Sequence, residues 1–371
     1  MDRKSFIKKA SLGAALGATV LSGCSAEDKP NLVSSPNITT SKSYRWKMVT
    51  TWPPNFPVLG EVANHFAEWV KVMSGGRLEI NVYGSGELIP ALEVFEAVTS
   101  GAAEMGSGAS YYWSGRNAAL PMFTTIPYGM NAQQMNAWLY SGGGLELWEQ
   151  IYAQYNLVPR PGGNTGVQMA GWFNREINTM ADFKGLKMRI PGLGAKVLAL
   201  AGGTSVLSAG SEIYTNLERG VIDATEWIGP YHDYTMGFHK IAKYYYSPGW
   251  HEPGSNLEMM INKRAYDELP ADLRMIIDTA AYRANMWVLS EFEAKNNEYL
   301  QRIIDESDVE LRQFSRAVMD GMRHYTQLMI DDLIADSPVS RQVYDAYNTF
   351  AKGISNWNRY SEGAYHALIS K

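Results

Sequence analysis

Residues 44–83 hold three consecutive patterns whose reading decides the fold class: YRWKMVT at 44–50, VLGEVANHFAEWVKVM at 58–73 and RLEINVY at 77–83. The first and third alternate apolar with polar residues, the period of a half-buried strand. The middle one places Val58, Val62, Phe66, Trp69, Val70 and Met73 on one helical stripe. Between strand and helix, Thr51–Pro57 carries prolines at 53, 54 and 57 and must be a loop. Ser74-Gly75-Gly76 ends the helix. Farther on, Pro90–Thr99 reads as a short helix with proline in its first turn, and Glu104–Ala109 as a small-residue strand leading into Tyr111-Tyr112-Trp113. Strand, helix, strand, helix, strand predicts an α/β domain with a mostly parallel sheet.

The pattern continues along the chain. Helices are expected at Asn131–Leu139, Leu145–Tyr155, Gly194–Leu200 and Glu212–Arg219, and strands at Leu157–Gly163, Val167–Phe173, Leu257–Ile261 and Val221–Trp227, the last ending on Glu226 and Trp227. Ala181–Ile190 reads as a turn followed by a strand. Ala271–Ile304 keeps helical periodicity without glycine or proline, long enough to span two domains. Val343–His366 is helical but interrupted at Gly353 and Gly363.

Composition narrows the function. The chain has 371 residues, 46% hydrophobic and 19% charged, with one cysteine. It is too apolar for disorder and long enough for about two domains. A formal charge of −5 without a basic stripe excludes a nucleic-acid surface. A single cysteine excludes an internal disulfide framework and thiolate metal sites.

That cysteine is Cys24. Arg3, Lys4, Lys8 and Lys9 precede a short apolar run, Ala14–Leu21, which ends in Leu21-Ser22-Gly23-Cys24. Residues 1–23 read as a lipoprotein signal peptide, with Cys24 as the lipidated residue. Asp2–Lys8 is also similar to a twin-arginine export motif, with Lys4 in place of the second arginine. Removing residues 1–23 takes four bases and one acid from totals of 33 and 38 and leaves a net −8. Residues 24–43, rich in Ser, Asn, Thr, Pro, Lys and Asp, read as a flexible tether. No later stretch has 18 apolar residues in a row, so the body is not expected to span a bilayer.

The hydrolase elbow, the Gly-rich dinucleotide turn and the P-loop are all absent. His232 and His239, seven apart, lack an acid at zinc spacing, and His251-Glu252 lacks the second histidine of a zincin. What remains is a set of oxygen and cation groups at predicted strand ends: Gln168, Arg189, Glu226 and Glu252, with Trp172, Trp227 and Trp250 nearby. Arg189 shares a strand face with Lys187, a face that is either solvated or used to grip a carboxylate. Tyr111 and Tyr112 sit at a strand end, where α/β sheets bind ligands.

These residues carry a resemblance. Asp182-Phe183-Lys184-Gly185-Leu186-Lys187-Met188-Arg189-Ile190-Pro191-Gly192 is similar to a signature of the DctP-type periplasmic solute-binding proteins of TRAP transporters. Glu212-x-Tyr214-x-x-Leu217-x-x-Gly220-Val221-Ile222-Asp223-Ala224-x-Glu226-Trp227 resembles their second signature, although Ala224 stands where many members have glycine. Phe123–Tyr128 and the first strand also fit, and Glu226-Trp227 resembles the branch that binds 2-oxo acids and other small monocarboxylates with a metal ion.

The resemblance implies an α/β, two-lobed binding-protein fold with a hinge, a long domain-spanning helix and a C-terminal helix. Lobe I would take residues 44–166 and about 255–295, lobe II residues 167–254 and about 296–338, and residues 339–371 a C-terminal helical segment. It implies that Arg189 clamps the solute carboxylate. Gln168, Glu226, the Trp227 carbonyl and Glu252 would hold a cation that also touches the solute. Tyr111, Tyr112 and Asn164 would help close the pocket. All these metal donors are oxygens, which suits calcium or sodium. Two glutamates, a carboxylate and one arginine leave a buried −2, which calcium would neutralise and sodium would halve.

The implied protein is periplasmic or anchored at its membrane through Cys24. It would deliver a small carboxylate to TRAP permease subunits, with no enzyme activity. A homodimer through the C-terminal helix and a monomer both fit. So do a polyol, sugar acid or aromatic acid bound without metal, or, in another class, a secreted metal-dependent hydrolase or lyase using Glu226 or Glu252 as base.

Overall fold

The computed structural model describes residues 42–369. The predicted signal peptide, Cys24 and the tether as far as residue 41 lie outside the described residues. Among the described residues, no helix is long and apolar enough to cross a membrane.

Two mixed sheets organise the chain. The first has the order β2 (Leu78–Tyr83), β1 (Tyr44–Thr50), β3 (Met105–Gly108), β10 (Asn256–Asn262), β4 (Leu157–Asn164). The second runs β11 (Glu310–Gln313), β9 (Tyr244–Ser247), β5 (Gly171–Phe173), β8 (Ala224–Thr225), β6 (Lys187–Arg189), β7 (Thr204–Val206). The first strand–helix–strand unit forms as its periodicity predicts, with β1 and β2 parallel and the helix Leu59–Met73 between them.

The expectation of mostly parallel sheets needs correction. β10 is antiparallel to both β3 and β4, and β5 is antiparallel to both β8 and β9. These strands adjoin the segments that leave one sheet for the other, so no crossover helix within one sheet constrains them to run parallel.

Other expectations change in extent. Of Val167–Phe173 only Gly171–Phe173 is strand, and of Val221–Trp227 only Ala224–Thr225. The remaining residues are connections whose backbone is held by tertiary bonds, such as Met169 N to Ile228 O at 3.0 Å. The helix Pro338–Asn358 runs through Gly353, where a Cβ would meet nothing, and the chain breaks at Arg359–Ser361 before the helix Glu362–Ile369. One exposed glycine costs a helix about 1 kcal/mol, which Val343 and Tyr347 packing inside the fold outweighs. The helix Arg316–Asp336 adds an element outside the sequence expectations; it buries Val318, Met322, Met329, Ile330 and Leu333.

The helix Ala271–Glu306 serves both sheets. Toward its middle Val288 lies against Gly163 of β4, and the Arg283 guanidinium covers Trp69 of the helix Leu59–Met73 at 4.2 Å. Farther along, Phe292 meets His232 at 4.7 Å, and Asn296 Oδ1 accepts from Tyr231 N at 3.1 Å. One rigid rod of roughly 54 Å thus carries elements of both halves.

Glu258 of β10 is buried within the first-sheet half. It accepts from Ser110 Oγ at 2.9 Å, Trp113 Nε1 at 2.6 Å and Tyr152 OH at 2.6 Å. These bonds pin the turn Ser110–Trp113 that carries Tyr111 and Tyr112. Burial outweighs the three donors and pushes its carboxyl up to about 7. Between about pH 4.5 and 7 the folded state therefore holds a proton that the unfolded chain has lost, so stability falls as pH rises through this window, by at most about 3 kcal/mol from this group. Urea unfolding should show Glu258→Gln gaining on wild type from pH 5 to pH 8. Parallel pH profiles for the two proteins would refute the buried-acid account.

Candidate functional site

Arg189 is the last residue of β6, paired in register with Thr225 of β8 and Val206 of β7. The next residue after Thr225 is Glu226, so a two-residue strand is enough to set the acid beside the guanidinium. Lys187, on the same strand face, is exposed, while Arg189 and Glu226 are 1% and 0% exposed. Of the two residues on that face, Lys187 is therefore solvated and Arg189 is not. Arg189 Nη1 donates to Glu226 Oε1, and its guanidinium lies 5.1 Å from the Trp227 ring. Its Nε and Nη2 have no partner.

Gln168 and Glu252 come from the connections on either side of β5 and β9. Gln168 N donates to Glu252 O at 3.1 Å, and Gly249 N to Gln168 O at 2.8 Å. A Cβ on Gly249 would stand 2.3 Å from Gln168 O, so only glycine allows this approach. The side chains meet as well: Gln168 Nε2 donates to Glu252 Oε2 at 2.7 Å and to Thr165 Oγ1 at 3.1 Å, and Ser255 Oγ also donates to Glu252. Gln168 Oε1 stays buried and unpartnered. Burial, followed by the charge of Glu226, pushes Glu252 up to about 7.

Glu226, His251 and Glu252 offer ligand atoms within 4.8 Å of one another, all buried. His251 Nε2 stands 3.4 Å from Glu226 Oε2, and its Nδ1 is unpartnered. His251 is the member that the sequence reading does not place here; its neighbours Trp250 and Glu252 in the chain are the available signal.

Tyr111 and Tyr112 cover the cluster from the first sheet, their rings edge to face at 4.7 Å. Burial raises the Tyr111 phenol well above its usual range, helped by the charge of Glu252 and, less, by Tyr112 and Glu226. Burial likewise raises Tyr112, against the opposing pull of Arg189. Both remain protonated donors facing the carboxylates and the guanidinium. Gly192, at φ +61°, turns the chain after β6; a Cβ there would stand 3.0 Å from the Tyr111 Cβ. Asn164 ends β4 with Oδ1 accepting from Gly166 N at 3.0 Å and Nδ2 unpartnered. Gln168, Arg189, Glu226, Trp227 and Glu252 thus converge, Tyr111 and Tyr112 close over them, and Asn164 stands at the margin with its side chain tied to Gly166. Cys24 lies outside the described residues.

The donor set suits a hard cation. Two carboxylates and an unpartnered amide oxygen are oxygen ligands, with one imidazole nitrogen beside them.

Residues 48–336 match the model of the DctP family, described as Bacterial extracellular solute-binding protein, family 7. The chain belongs to that family. The DctP assignment is extended by relatives that match over nearly their whole length. A Nostoc protein named Monocarboxylate 2-oxoacid-binding periplasmic protein is 38% identical over 100% of this chain and 99% of its own. The TRAP periplasmic solute-binding protein of Pseudoalteromonas atlantica, solved with bound sodium and pyruvate, is 42% identical, with a TM-score of 0.86 over 88% of this chain and 100% of its own. That of Colwellia psychrerythraea, solved with bound calcium and pyruvate, is 43% identical, with a TM-score of 0.86 over 88% and 100%. The two-lobed α/β fold of TRAP periplasmic binding proteins is therefore the fold of this DctP member, and the family places it outside the cytoplasm.

Beside this cluster stands a further buried acid. Asp233 accepts from Tyr245 OH at 2.7 Å, Trp172 Nε1 at 2.9 Å and Ile228 N at 3.3 Å, and so fixes the backbone that follows Glu226 and Trp227. Burial pushes it up to about 7. Trp172→Phe removes one of those donors and leaves a small cavity, which should lower stability by about 2 kcal/mol or more in urea unfolding. A change below about 0.5 kcal/mol would show that Asp233 does not depend on that bond.

Proposed function

We propose that this protein captures a small 2-oxo or 2-hydroxy monocarboxylate, with pyruvate as the type solute, and passes it to a TRAP permease. The observation that carries the reading is Arg189. One of its nitrogens is engaged by Glu226, while Nε and Nη2 remain unpaired in a fully buried place. A guanidinium edge of two parallel N–H groups matches a carboxylate bidentately. The pyruvate-bound relatives support the choice of solute.

A third negative group, the solute carboxylate, beside Glu226 and Glu252 would require a cation. Gln168 Oε1, the Glu226 and Glu252 carboxylates and the Trp227 carbonyl would hold it. Calcium or sodium would supply charge compensation and a contact for both the carboxylate and the oxygen on the adjacent carbon. Tyr111 and Tyr112 would donate to the solute, and Asn164 Nδ2 would complete the margin. Capture breaks no bond, so no catalytic residue is assigned. The two lobes, divided near residues 166–167, 254–255 and 295–296, would close by hinge motion. Residues 1–23 would direct export, and a lipid on Cys24 would hold the body near its permease. A homodimer through the C-terminal helix and a monomer would both be compatible with this reading.

The test is thermal unfolding of metal-stripped protein with pyruvate, calcium and sodium added singly and together. Solute at 100 times its Kd should stabilise by about 2.7 kcal/mol, a rise of roughly 5 °C. The rise should need acid and cation together and should vanish in Arg189→Ala. An equal rise with pyruvate after chelation in sodium-free buffer, or a rise with polyols alone, would overturn the bridged site.

A further inference from the structure

His232 stands outside the cation cluster, yet it touches both halves of the molecule. It is fully buried in the short helix Pro230–Thr235 of the second-sheet half. Trp227 Nε1 lies 3.1 Å from its Nδ1, and its Nε2 lies 2.8 Å from the Pro57 carbonyl oxygen. An indole N–H can only donate. Nδ1 must therefore accept, Nε2 carries the hydrogen, and His232 donates it to Pro57. One neutral imidazole thus joins the indole beside Arg189 to a backbone oxygen of the first-sheet half.

The Pro57 side of this contact is built as a rigid clasp. Residues 52–58 are fastened to the first sheet by Trp52 Nε1 to Ser107 Oγ at 3.2 Å and by Ser85 N to Trp52 O at 2.8 Å. Gly60 and Gly84 let the loop lie close, since a Cβ at either would come within 2.8 Å of Pro53 O or 2.6 Å of Pro54. Asn55 and Val58 both adopt positive φ, +54° and +57°. For a β-branched residue this is an outlier that the surroundings must enforce, and such outliers gather at ligand clamps. From this clasp Phe56 meets Trp227 at 6.2 Å and His232 at 4.8 Å, and Trp52 meets Trp227 at 6.4 Å, all edge to face.

The helix side is just as fixed. Asp233 holds Ile228 N, and Asn296 of the spanning helix holds Tyr231 N. Two stiff surfaces therefore meet through Phe56, Trp227 and His232, and the hydrogen bond to Pro57 forms only when they are together.

We propose that His232 is the closure latch of the solute site, a positioning residue that slows solute release by tying Trp227 to the Pro57 clasp without touching the solute. The latch rests on the capture reading above. It predicts a kinetic division. Opening must break the Pro57 bond, so losing it speeds release; the entry rate, set by the open form, changes little.

The test is stopped-flow tryptophan fluorescence of pyruvate binding and release in calcium buffer, with the melting temperature of the solute-free protein as control. His232→Asn keeps an acceptor near the Nδ1 position and loses the donor to Pro57. His232→Gln keeps a donor near the Nε2 position and loses the acceptor. The latch predicts release about tenfold faster in His232→Asn, with most of the slow release restored in His232→Gln. Phe56→Ala, on the opposite half, should speed release about threefold and keeps the test open should the Asn variant not fold. Unchanged release in His232→Asn and Phe56→Ala, with pyruvate still bound by wild type, would overturn the latch alone. So would equal losses in the Asn and Gln variants that follow melting temperature. Failure of wild type to bind pyruvate with calcium would overturn the capture reading and the latch with it.

Discussion

Two glutamates and one arginine share a space closed to water, and the rest of the molecule is arranged around that imbalance. Glu226, Glu252 and Arg189 are each at most 2% exposed. Their ionised charges sum to −1, and burying an uncompensated charge costs several kcal/mol. The protein spreads the burden by aiming donors at the acids: Arg189 at Glu226, and Gln168 Nε2 and Ser255 Oγ at Glu252. It does not remove the imbalance, and burial still pushes Glu252 up to about 7. In the proposed reading a cation would complete the charge, and a carboxylate would then fit the free edge of Arg189. On this account the acid and the cation each create the conditions for the other.

The fold supplies the rigidity this requires. Each half has a buried acid that holds a segment carrying candidate site residues. Glu258 holds Ser110–Trp113, and with it Tyr111 and Tyr112. Asp233 holds Ile228 N, and with it Glu226 and Trp227. Both acids pay desolvation for placing a few side chains, as expected where geometry matters more than stability. The spanning helix Ala271–Glu306 lets the two halves face each other without merging their sheets.

The parts of this design differ in how far they are legible in sequence. β1, the helix Leu59–Met73 and β2 are readable because their amphipathic periods run for six residues or more. β5 and β8, at three and two residues, are not; their apolar flanks are connections held by tertiary bonds. The antiparallel placing of β10 follows from the chain's return between sheets, which no local pattern reports. In the site, Gln168, Arg189, Glu226 and Glu252 stand out through signature resemblance and strand-end position. The ion pair between Arg189 and Glu226 depends on the register of β6 against β8 and is invisible in either segment alone. His251 escapes for another reason. A histidine next to an acid has no diagnostic spacing, and only the folded turn Gly249–Glu252 turns it toward Glu226.

If cation and carboxylate complete one charge set, their affinities must be reciprocally linked. Calorimetric titration should give the pyruvate Kd with and without calcium, and the calcium Kd with and without pyruvate. Each partner should tighten the other by the same factor, about 100-fold or more, as a shared buried charge demands. Pyruvate affinity that is the same in calcium and in chelator, with sodium absent from both, would contradict it.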